Sequence, residues 1–226
     1  MSEIIKLEKL RKTYDGRNFI LKGVDLIIHS GEIVVITGQS GSGKSTLLNI
    51  IGLLDSHTDG NYYLDKKIIK LKENRETALL RNEKIGFVFQ AYHLISNLTV
   101  KENLIIPLLY RKAQTIDLNQ FNLNMCNLLG QFDLLDLLDQ KVMGLSGGEK
   151  QRISLCRALI ANPEIILADE PTGNLDEVNK NKIMLLFQNI SKKLKKTILI
   201  VTHDKQFKEI ANRSFNISGG YLIEEI

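Results

Sequence analysis

The sequence predicts an α/β fold in which a parallel sheet forms the core, with an N-terminal antiparallel β subdomain and an inserted α-helical subdomain. Short apolar segments typical of buried strands lie at 33–36, 165–168 and 197–201, and the segment 178–193 has helical periodicity. Strands that alternate with helices are typical of a parallel sheet covered on both faces. We therefore expect the core to be one such sheet.

The N-terminal part carries shorter β signals. Segments 4–10 and 23–28 have the character of strands, and Asp59-Gly60 is a turn signal ahead of a hairpin over 61–70. Hairpins join antiparallel strands, so this part predicts the antiparallel subdomain.

Leucine recurs at helical spacing through the middle of the chain. A short strand at 87–89 ends at Gln90, and residues 93–160 then show few strand signals. We expect one domain over 1–226, with 1–92 and 161–226 forming the β subdomain and sheet core and 93–160 forming the helical subdomain.

Composition indicates a globular, reduced protein. The chain has 226 residues, is 43% hydrophobic and has a net charge of +4, which is typical of a mixed solvated surface. Its two cysteines, Cys126 and Cys156, show neither metal spacing nor a paired framework. The charged N-terminal segment does not resemble a signal peptide, and no apolar run reaches the ~20 residues of a spanning helix.

A glycine-rich loop follows the first buried strand. Residues 38–45 match the phosphate-binding pattern Gly-x4-Gly-Lys-[Ser/Thr], and a helix-like segment, 46–54, comes next, a context that argues against a chance match. Glycine lets successive N–H groups face a phosphate, Lys44 reaches the β and γ phosphates, and the Ser45 hydroxyl ligates Mg²⁺. The residues expected to contact a nucleoside triphosphate are Gly38, Gln39, Ser40, Gly41, Ser42, Gly43, Lys44, Ser45 and Thr46.

A second segment with anion-binding character precedes a helical run at 153–160. Residues 145–152 read Leu-Ser-Gly-Gly-Glu-Lys-Gln-Arg, which makes Ser146 and the amides of Gly147 and Gly148 available to a phosphate. The first loop already holds one triphosphate, so a second γ-phosphate receptor indicates a site completed across a dimer. The alternative is an ordinary serine N-cap with a tight turn.

Two acidic residues end the strand at 165–168. Asp169 fits the carboxylate that holds Mg²⁺, usually through water, and Glu170 is placed to act as general base on the attacking water. The strand at 197–201 leads to His203, which can orient water and contact the γ-phosphate. The alternatives are a solvated acidic turn for the two acids and a polar turn residue for His203.

These motifs together resemble the ATP-binding cassette (ABC) superfamily over essentially the whole chain. The loop 38–45 is similar to Walker A of that family, 145–152 to its signature, 165–169 to Walker B and 174–176 to its D-loop. The resemblance implies a P-loop (RecA-like) core that binds ATP with Mg²⁺ and hydrolyses it. It also implies a head-to-tail homodimer, with two ATP molecules sandwiched between Walker A of one subunit and the signature of the other.

The resemblance also implies roles for single residues. Tyr14 matches the aromatic that stacks on adenine, and Glu149 is a mild departure, since many members carry Gln there. The implied metal-binding residues are Ser45, Gln90 (the Q-loop glutamine) and Asp169. The implied catalytic residues are Glu170, His203 (the switch histidine) and Lys44.

The segment 90–108 is similar to the macrolide-export and lipoprotein-release branch of the family, the MacB, LolD and FtsE type. Residues 42–55 and 171–176 match that branch as well, whereas Ser96-Asn97 and the Asn-rich stretch 119–127 depart from it. This implies an ATP-hydrolysing subunit of a membrane transporter that exports or extrudes peptide, antimicrobial or lipidated cargo. Its partner would be a separately encoded integral-membrane permease, which places the chain in the cytoplasm, peripherally on the inner face of the cell membrane.

Other kinds of ABC protein stay open. An importer subunit is disfavoured only by the branch resemblance. A non-transport ABC ATPase would act in mechanotransmission to cell-wall enzymes, DNA repair or translation, although the span from Ser45 to Leu145 is too short for a long coiled-coil insertion. No nucleic acid is expected as a partner, because the basic run at 192–196 is typical of a solvated helix end.

Overall fold

The computed structural model describes residues 2–70, 74–110 and 117–225. The strands are β1 (Glu3–Thr13), β2 (Phe19–His29), β3 (Ile33–Thr37), β4 (Asp59–Leu64), β5 (Lys67–Ile68), β6 (Ile85–Phe89), β7 (Ile165–Asp169), β8 (Thr197–Thr202), β9 (Arg213–Ser218) and β10 (Tyr221–Glu225). The α-helices are α1 (Lys44–Ile51), α2 (Arg75–Lys84), α3 (Val100–Leu109), α4 (Leu118–Gln131), α5 (Gly147–Leu159) and α6 (Glu177–Leu194).

The core is a six-stranded sheet in the order β10-β9-β3-β8-β7-β6. Its strands pair in parallel from β9 to β6, and only β10 is antiparallel to its neighbour. Along β3, Val34 and Ile36 enter one hydrophobic cluster, whereas Ile33 and Val35 enter another. The same alternation occurs in β7 and β8, so the sheet is buried on both faces, which confirms the predicted core.

The cluster that contains Val34 and Ile36 joins the core sheet to a second sheet. That sheet has four antiparallel strands in the order β2-β1-β4-β5. Ile5 and Leu21 of that sheet lie in the cluster with Leu47 of α1 and Val34 of β3. The helix that follows the glycine-rich loop is therefore packed between two sheets, and this confirms the N-terminal antiparallel subdomain.

The second cluster joins the other face of the core sheet to the four later helices. It contains Leu104 of α3, Met125 of α4, Leu155 of α5 and Phe187 of α6, together with Ile200 of β8. The helical insertion is thus present, while the subdomain boundaries given above stay predictions. Residues 111–116, inside the predicted insertion, lie outside the described residues.

Two helices differ from the sequence prediction at their ends, and a third is unexpected. α5 begins at Gly147, six residues ahead of the predicted 153, because Ser146 and Glu149 form a capping box that starts the helix early. α1 covers Lys44–Ile51 rather than 46–54. α2 has no fully buried residue, and its sequence has no apolar residues at helical spacing, so a sequence pattern does not predict it.

The expected turn at Asp59-Gly60 is wrong, because both residues belong to β4. The predicted hairpin over 61–70 is confirmed, because β4 pairs antiparallel with β5. Its turn is Asp65-Lys66, where φ is 50° and 63°, as in a two-residue turn with both central residues left-handed. Glycine is required at position 60 for another reason. Its φ is 89°, and a Cβ there would lie 2.5 Å from the carbonyl oxygen of Lys9, where the register of β1 against β4 shifts.

The described part of the chain contains no helix that combines the length and the apolar character needed to cross a bilayer.

We expect Gly60→Ala to destabilise the fold more than Gly31→Ala. Both glycines have similar left-handed φ values, 89° and 83°, so each alanine incurs a backbone cost of ~1–2 kcal/mol. Only Gly60 also faces backbone within 4 Å, whereas nothing lies that close to a Cβ at Gly31. Urea unfolding of both variants measures the difference, and equal losses would show that the contact with β1 relaxes without cost.

Candidate functional site

The glycine-rich loop joins β3 to α1 at the carboxyl end of the core sheet. A Cβ on Gly38 would lie 2.5 Å from the carbonyl oxygen of Ile217 in the neighbouring strand β9, so the close approach requires glycine. Gly43, with a φ of 104°, is the N-cap of α1 and has no side chain to cap the helix. The first N–H groups of α1 are therefore left to bind an anion.

The Lys44 side chain lies along this loop and is only 7% exposed. Its Nζ donates to the carbonyl oxygens of Gly38 at 2.8 Å and Gln39 at 2.9 Å. An ammonium group has three N–H donors, so one is left for a further acceptor. The loop thus fixes a cation beside its own backbone amides, which is the arrangement that a polyphosphate needs.

Asp169 ends β7 next to the loop. Its Oδ1 is buried and has no hydrogen-bond partner among the described residues. Burial raises the pKa of this carboxyl group, and the Ser45 hydroxyl bonded to it has a smaller opposite effect. A buried carboxylate oxygen without a partner, beside a hydroxyl, fits a Mg²⁺ ion that takes its other ligands from phosphate and water. The described residues contain no cluster of three or more His, Cys, Asp or Glu that could hold a metal by itself.

Glu170 follows with its backbone in the left-handed region, at a φ of 45°. Its Oε2 accepts from Thr202 Oγ1 at 2.8 Å and lies 2.9 Å from His203 Nδ1. Its Oε1 accepts from the His203 backbone N–H at 3.0 Å. A non-glycine residue at such a φ is strained, and strain of this kind is found at functional sites. The carboxylate is held in place from the next strand, β8.

A cavity of about 660 Å³ brings these groups together. It is lined by Ile20, Ser40, Gly41, Gly43, Lys44, Ser45, Thr46, Gln90, Asp169, Glu170 and His203. The loop after β3, the end of β6, the end of β7 and the end of β8 therefore meet at one edge of the sheet. This position, outside the carboxyl ends of parallel strands, is where α/β proteins bind ligands.

The segment with Ser146, Gly147 and Gly148 does not line this cavity. Ser146 caps α5: its Oγ donates to Glu149 Oε2 at 2.7 Å, and its N–H donates to the same oxygen at 2.8 Å. These bonds lower the pKa of Glu149. Glu149, where many family members carry Gln, thus completes the capping box. Within one chain, this segment does not reach the cavity beside the glycine-rich loop.

Tyr14 also lies outside the cavity lining, and its ring is 64% exposed. Its hydroxyl donates to Asp55 Oδ2 at 2.6 Å, which raises the pKa of the tyrosine. The Lys12 ammonium lies 4.5 Å from the ring centroid, and Lys12 Nζ also donates to Asp55 Oδ1 at 2.7 Å. Asp55 and Lys12 thus fix the orientation of an exposed aromatic ring near the start of α1.

The sequence patterns do not indicate Ile20 or Thr202 as site residues. Ile20 lines the cavity and would lie 3.2 Å from a Cβ on Gly43, but an isoleucine in a strand carries no functional signal. Thr202 does leave a weak signal, because it is a polar residue that ends an apolar strand directly before His203.

Comparison with known proteins agrees with this geometry. The family model described as "ABC transporter" matches residues 21–173. The chain belongs to the ABC transporter family. It is an ATP-binding ATPase subunit of an ABC transporter.

Two similar relatives differ in how much of their own length this chain matches. The lipoprotein-releasing system ATP-binding protein LolD of Aquifex aeolicus is 41% identical over 229 residues, covering 100% of this chain and 99% of LolD. The macrolide export ATP-binding/permease protein MacB of Campylobacter jejuni is 46% identical over 213 residues, covering 93% of this chain but 32% of MacB. This chain therefore matches LolD along its full length and spans about a third of MacB.

Solved ABC cassettes share the fold. The dimeric post-hydrolysis structure of the cassette MJ0796, bound to ADP and Pi, has a TM-score of 0.89 and 39% identity, with 98% of each chain covered. A second dimeric structure of MJ0796 has the same TM-score and 40% identity. CbiO1 from Clostridium perfringens, part of the transporter complex CbiONQ, also has a TM-score of 0.89 but is 28% identical.

We expect Tyr14→Ala to weaken ATP binding, because stacking of a base on an aromatic ring contributes ~1–3 kcal/mol. Tyr14→Phe, which keeps the ring, should bind nearly as well as the unchanged protein. Binding of inorganic tripolyphosphate, which has no base, should be equal in all three. Calorimetry with both ligands checks this, and Tyr221→Ala, at another exposed tyrosine, is the matched control. A parallel loss for tripolyphosphate would exclude stacking as the cause.

Asp169→Asn is expected to stabilise the nucleotide-free protein while removing its Mg²⁺-dependent function. The folded-state pKa of Asp169 is raised, so its ionised form costs stability above that pKa. The gain in Tm should therefore be present at neutral pH and shrink as the pH falls towards the ordinary carboxyl range. Melting curves across this pH range measure it, with Asp136→Asn as an exposed control. A lower Tm at neutral pH would contradict the prediction.

Proposed function

We propose that this chain is the ATP-hydrolysing subunit of an exporter or extruder that acts on lipidated, peptide or antimicrobial cargo. It works as a homodimer on a separately encoded integral-membrane permease, at the cytoplasmic face of the cell membrane. The observation that carries the proposal is the 41% identity to LolD, with essentially the whole of both chains covered. The LolD name describes an ATP-binding protein of a lipoprotein-releasing system.

The match to LolD supports the separate permease. LolD is named an ATP-binding protein, and the match covers 99% of it. MacB is named an ATP-binding/permease protein, and the cassette match accounts for 32% of it.

The phosphate and metal roles follow from the edge of the core sheet. The loop amides and Lys44 hold the β and γ phosphates. The Lys44 ammonium group donates to the carbonyl oxygens of Gly38 and Gln39, and bound phosphates would take the place of part of these contacts. Ser45, Gln90 and Asp169 would hold Mg²⁺, which neutralises developing charge on the phosphate oxygens when bound. The buried, unpartnered Oδ1 of Asp169 supports this assignment.

Glu170 is the proposed general base. As the oxygen of the attacking water bonds to the γ phosphorus and the bond from phosphorus to the bridging β–γ oxygen breaks, the proton of the water moves to the Glu170 carboxylate. His203, whose side chain is 69% exposed and pairs with Glu170, would contact the γ phosphate. Ser146, Gly147 and Gly148 of a second copy would complete the site, because the same residues of one chain lie outside its cavity.

An apolar groove next to the Gln90 segment is the proposed docking surface for the permease. The cavity there has a volume of about 580 Å³, and Phe87, Phe89, Pro107 and Tyr110 are among its lining residues. Tyr110 is 71% exposed. In the neighbouring segment Val100 is buried in the core, so ordinary packing explains it, whereas Ile95 remains 49% exposed and available for contact.

We expect Glu170→Gln to reduce the ATP hydrolysis rate ~10²- to 10⁴-fold, because it removes general-base catalysis but leaves the phosphate loop intact. The variant should form a dimer in the presence of ATP, measured by light scattering. Glu209→Gln, at an exposed glutamate elsewhere, is the matched control. A Glu170→Gln chain that hydrolyses ATP at the unchanged rate would remove Glu170 from the base role.

Co-purification tests the transport proposal. A tagged Glu170→Gln chain is isolated from solubilised native membranes with ATP present, its partners are identified by mass spectrometry, and the tagged Glu209→Gln chain serves as control. We expect a permease with few membrane spans and a large extracytoplasmic domain. Recovery of a many-span permease would overturn the exporter assignment and favour an importer. Recovery of ribosomal or DNA-associated proteins alone, or of no partner, would overturn the transport proposal.

A further inference from the structure

Thr202 is a buried hydroxyl beside the proposed catalytic base. It is the last residue of β8, in a run that is otherwise apolar from Ile198 to Val201, and it is 0% exposed. Buried polar groups need hydrogen-bond partners. Thr202 Oγ1 has two: Glu170 Oε2 at 2.8 Å and the backbone N–H of Asp204 at 3.0 Å.

The direction of both hydrogen bonds is determined by chemistry. A backbone N–H can only donate, so Oγ1 accepts from Asp204. The single proton of the hydroxyl is then free to point at Glu170, and an ionised carboxylate can only accept. Thr202 therefore donates to Oε2, and it does so from a position that solvent does not reach.

The turn that carries this hydroxyl is itself held in place. Asp204 Oδ2 lies 2.7 Å from Lys180 Nζ of α6, and Asp204 Oδ1 accepts from the backbone N–H of Gln206 at 3.0 Å. The turn after β8 is thus tied to α6, whose N-cap is Asp176. The backbone N–H that donates to Thr202 Oγ1 therefore belongs to a residue that is anchored to α6.

The two oxygens of Glu170 are engaged unequally. Oε2 accepts from Thr202 Oγ1 and lies next to His203 Nδ1. The His203 backbone N–H is shared between Oε1 at 3.0 Å and Oε2 at 3.2 Å, and it provides the bond that Oε1 accepts. Each carboxylate oxygen has about two acceptor positions, so Oε1 keeps one for a water molecule. His203 is exposed on its side chain, which makes Thr202 the buried, fixed donor of the group.

We propose that Thr202 is a positioning residue for ATP hydrolysis: its hydroxyl holds Oε2 of Glu170, so that Oε1 faces the attacking water. This inference rests on the proposed role of Glu170 as the base. The side chain of glutamate has several rotatable bonds, and a reacting group held about 1 Å out of place loses up to ~10²-fold in rate. A rigid hydroxyl donor from the neighbouring strand prevents that loss.

Three variants test the proposal. Thr202→Val keeps the shape of the side chain but removes the donor, Thr202→Ser restores the hydroxyl, and Thr197→Val removes an equally buried hydroxyl from the other end of β8. We expect Thr202→Val to lower kcat by about 10- to 100-fold with little change in the KM for ATP, because phosphate binding is untouched. Thr202→Ser should recover most of kcat, and Thr197→Val should change it little.

A double-mutant cycle separates positioning from a general structural defect. In single-turnover assays, adding Thr202→Val to Glu170→Gln should cause no further loss, since the group to be positioned has already lost its function. Melting curves and ATP binding by each variant establish that it is folded and binds nucleotide. If Thr202→Val fails to fold, two other variants provide the test. Thr202→Ser should keep a kcat near that of the unchanged protein. Lys180→Met removes the ion pair that holds Asp204, and its kcat should fall.

The two hypotheses fail in different ways. If Glu170→Gln hydrolyses ATP normally, the base assignment is wrong and the role of Thr202 is overturned with it. If Glu170→Gln is inactive while Thr202→Val keeps the unchanged kcat, Glu170 remains the base and only the positioning role is overturned. An additive loss in the double variant would likewise overturn it.

Discussion

Parallel pairing of β3, β8 and β7 is the constraint on which the rest of the structure depends. In the observed register Thr37 lies beside Thr202, and Asp169 lies beside Val201, so the three chains leave the sheet at neighbouring points. Alternate residues of these strands enter two different hydrophobic clusters. A slip by one residue would exchange the two sets of side chains, so burial on both faces fixes the register and, through it, the positions of the phosphate loop, the acids and His203.

The carboxyl end of the core sheet holds side chains and a backbone conformation that cost free energy by themselves. Asp169 has a buried oxygen without a partner among the described residues, and Glu170 has a left-handed backbone. Lys44 is almost fully buried, with its ammonium group held by two loop carbonyl oxygens. Such local costs persist only where the surrounding structure determines the conformation, and here the surrounding structure is the doubly covered sheet.

Two of the helices, α1 and α5, begin with different kinds of N-cap. α1 begins at Lys44, and its N-cap, Gly43, has no side chain to cap the helix. α5 begins at Gly147, and its N-cap, Ser146, is engaged with Glu149 in a capping box. A γ phosphate bound to a second copy would therefore meet the N-terminal amides of α5, where the Ser146 hydroxyl already donates to Glu149. The Ser146 segment does not line the cavity of its own chain, and this supports the proposed site shared between two copies.

The sequence by itself determined the family, the α/β core and the phosphate loop, because these depend on local patterns: fixed glycine spacing, apolar strands and helical periodicity. Local patterns failed where a residue serves a distant contact, as at Gly60, whose turn signal reflects the close approach of β1. They also missed α2, in which no residue is fully buried. Only the tertiary structure showed that Thr202 contacts Glu170, 32 residues earlier in the chain, since that contact is set by the pairing of β7 with β8.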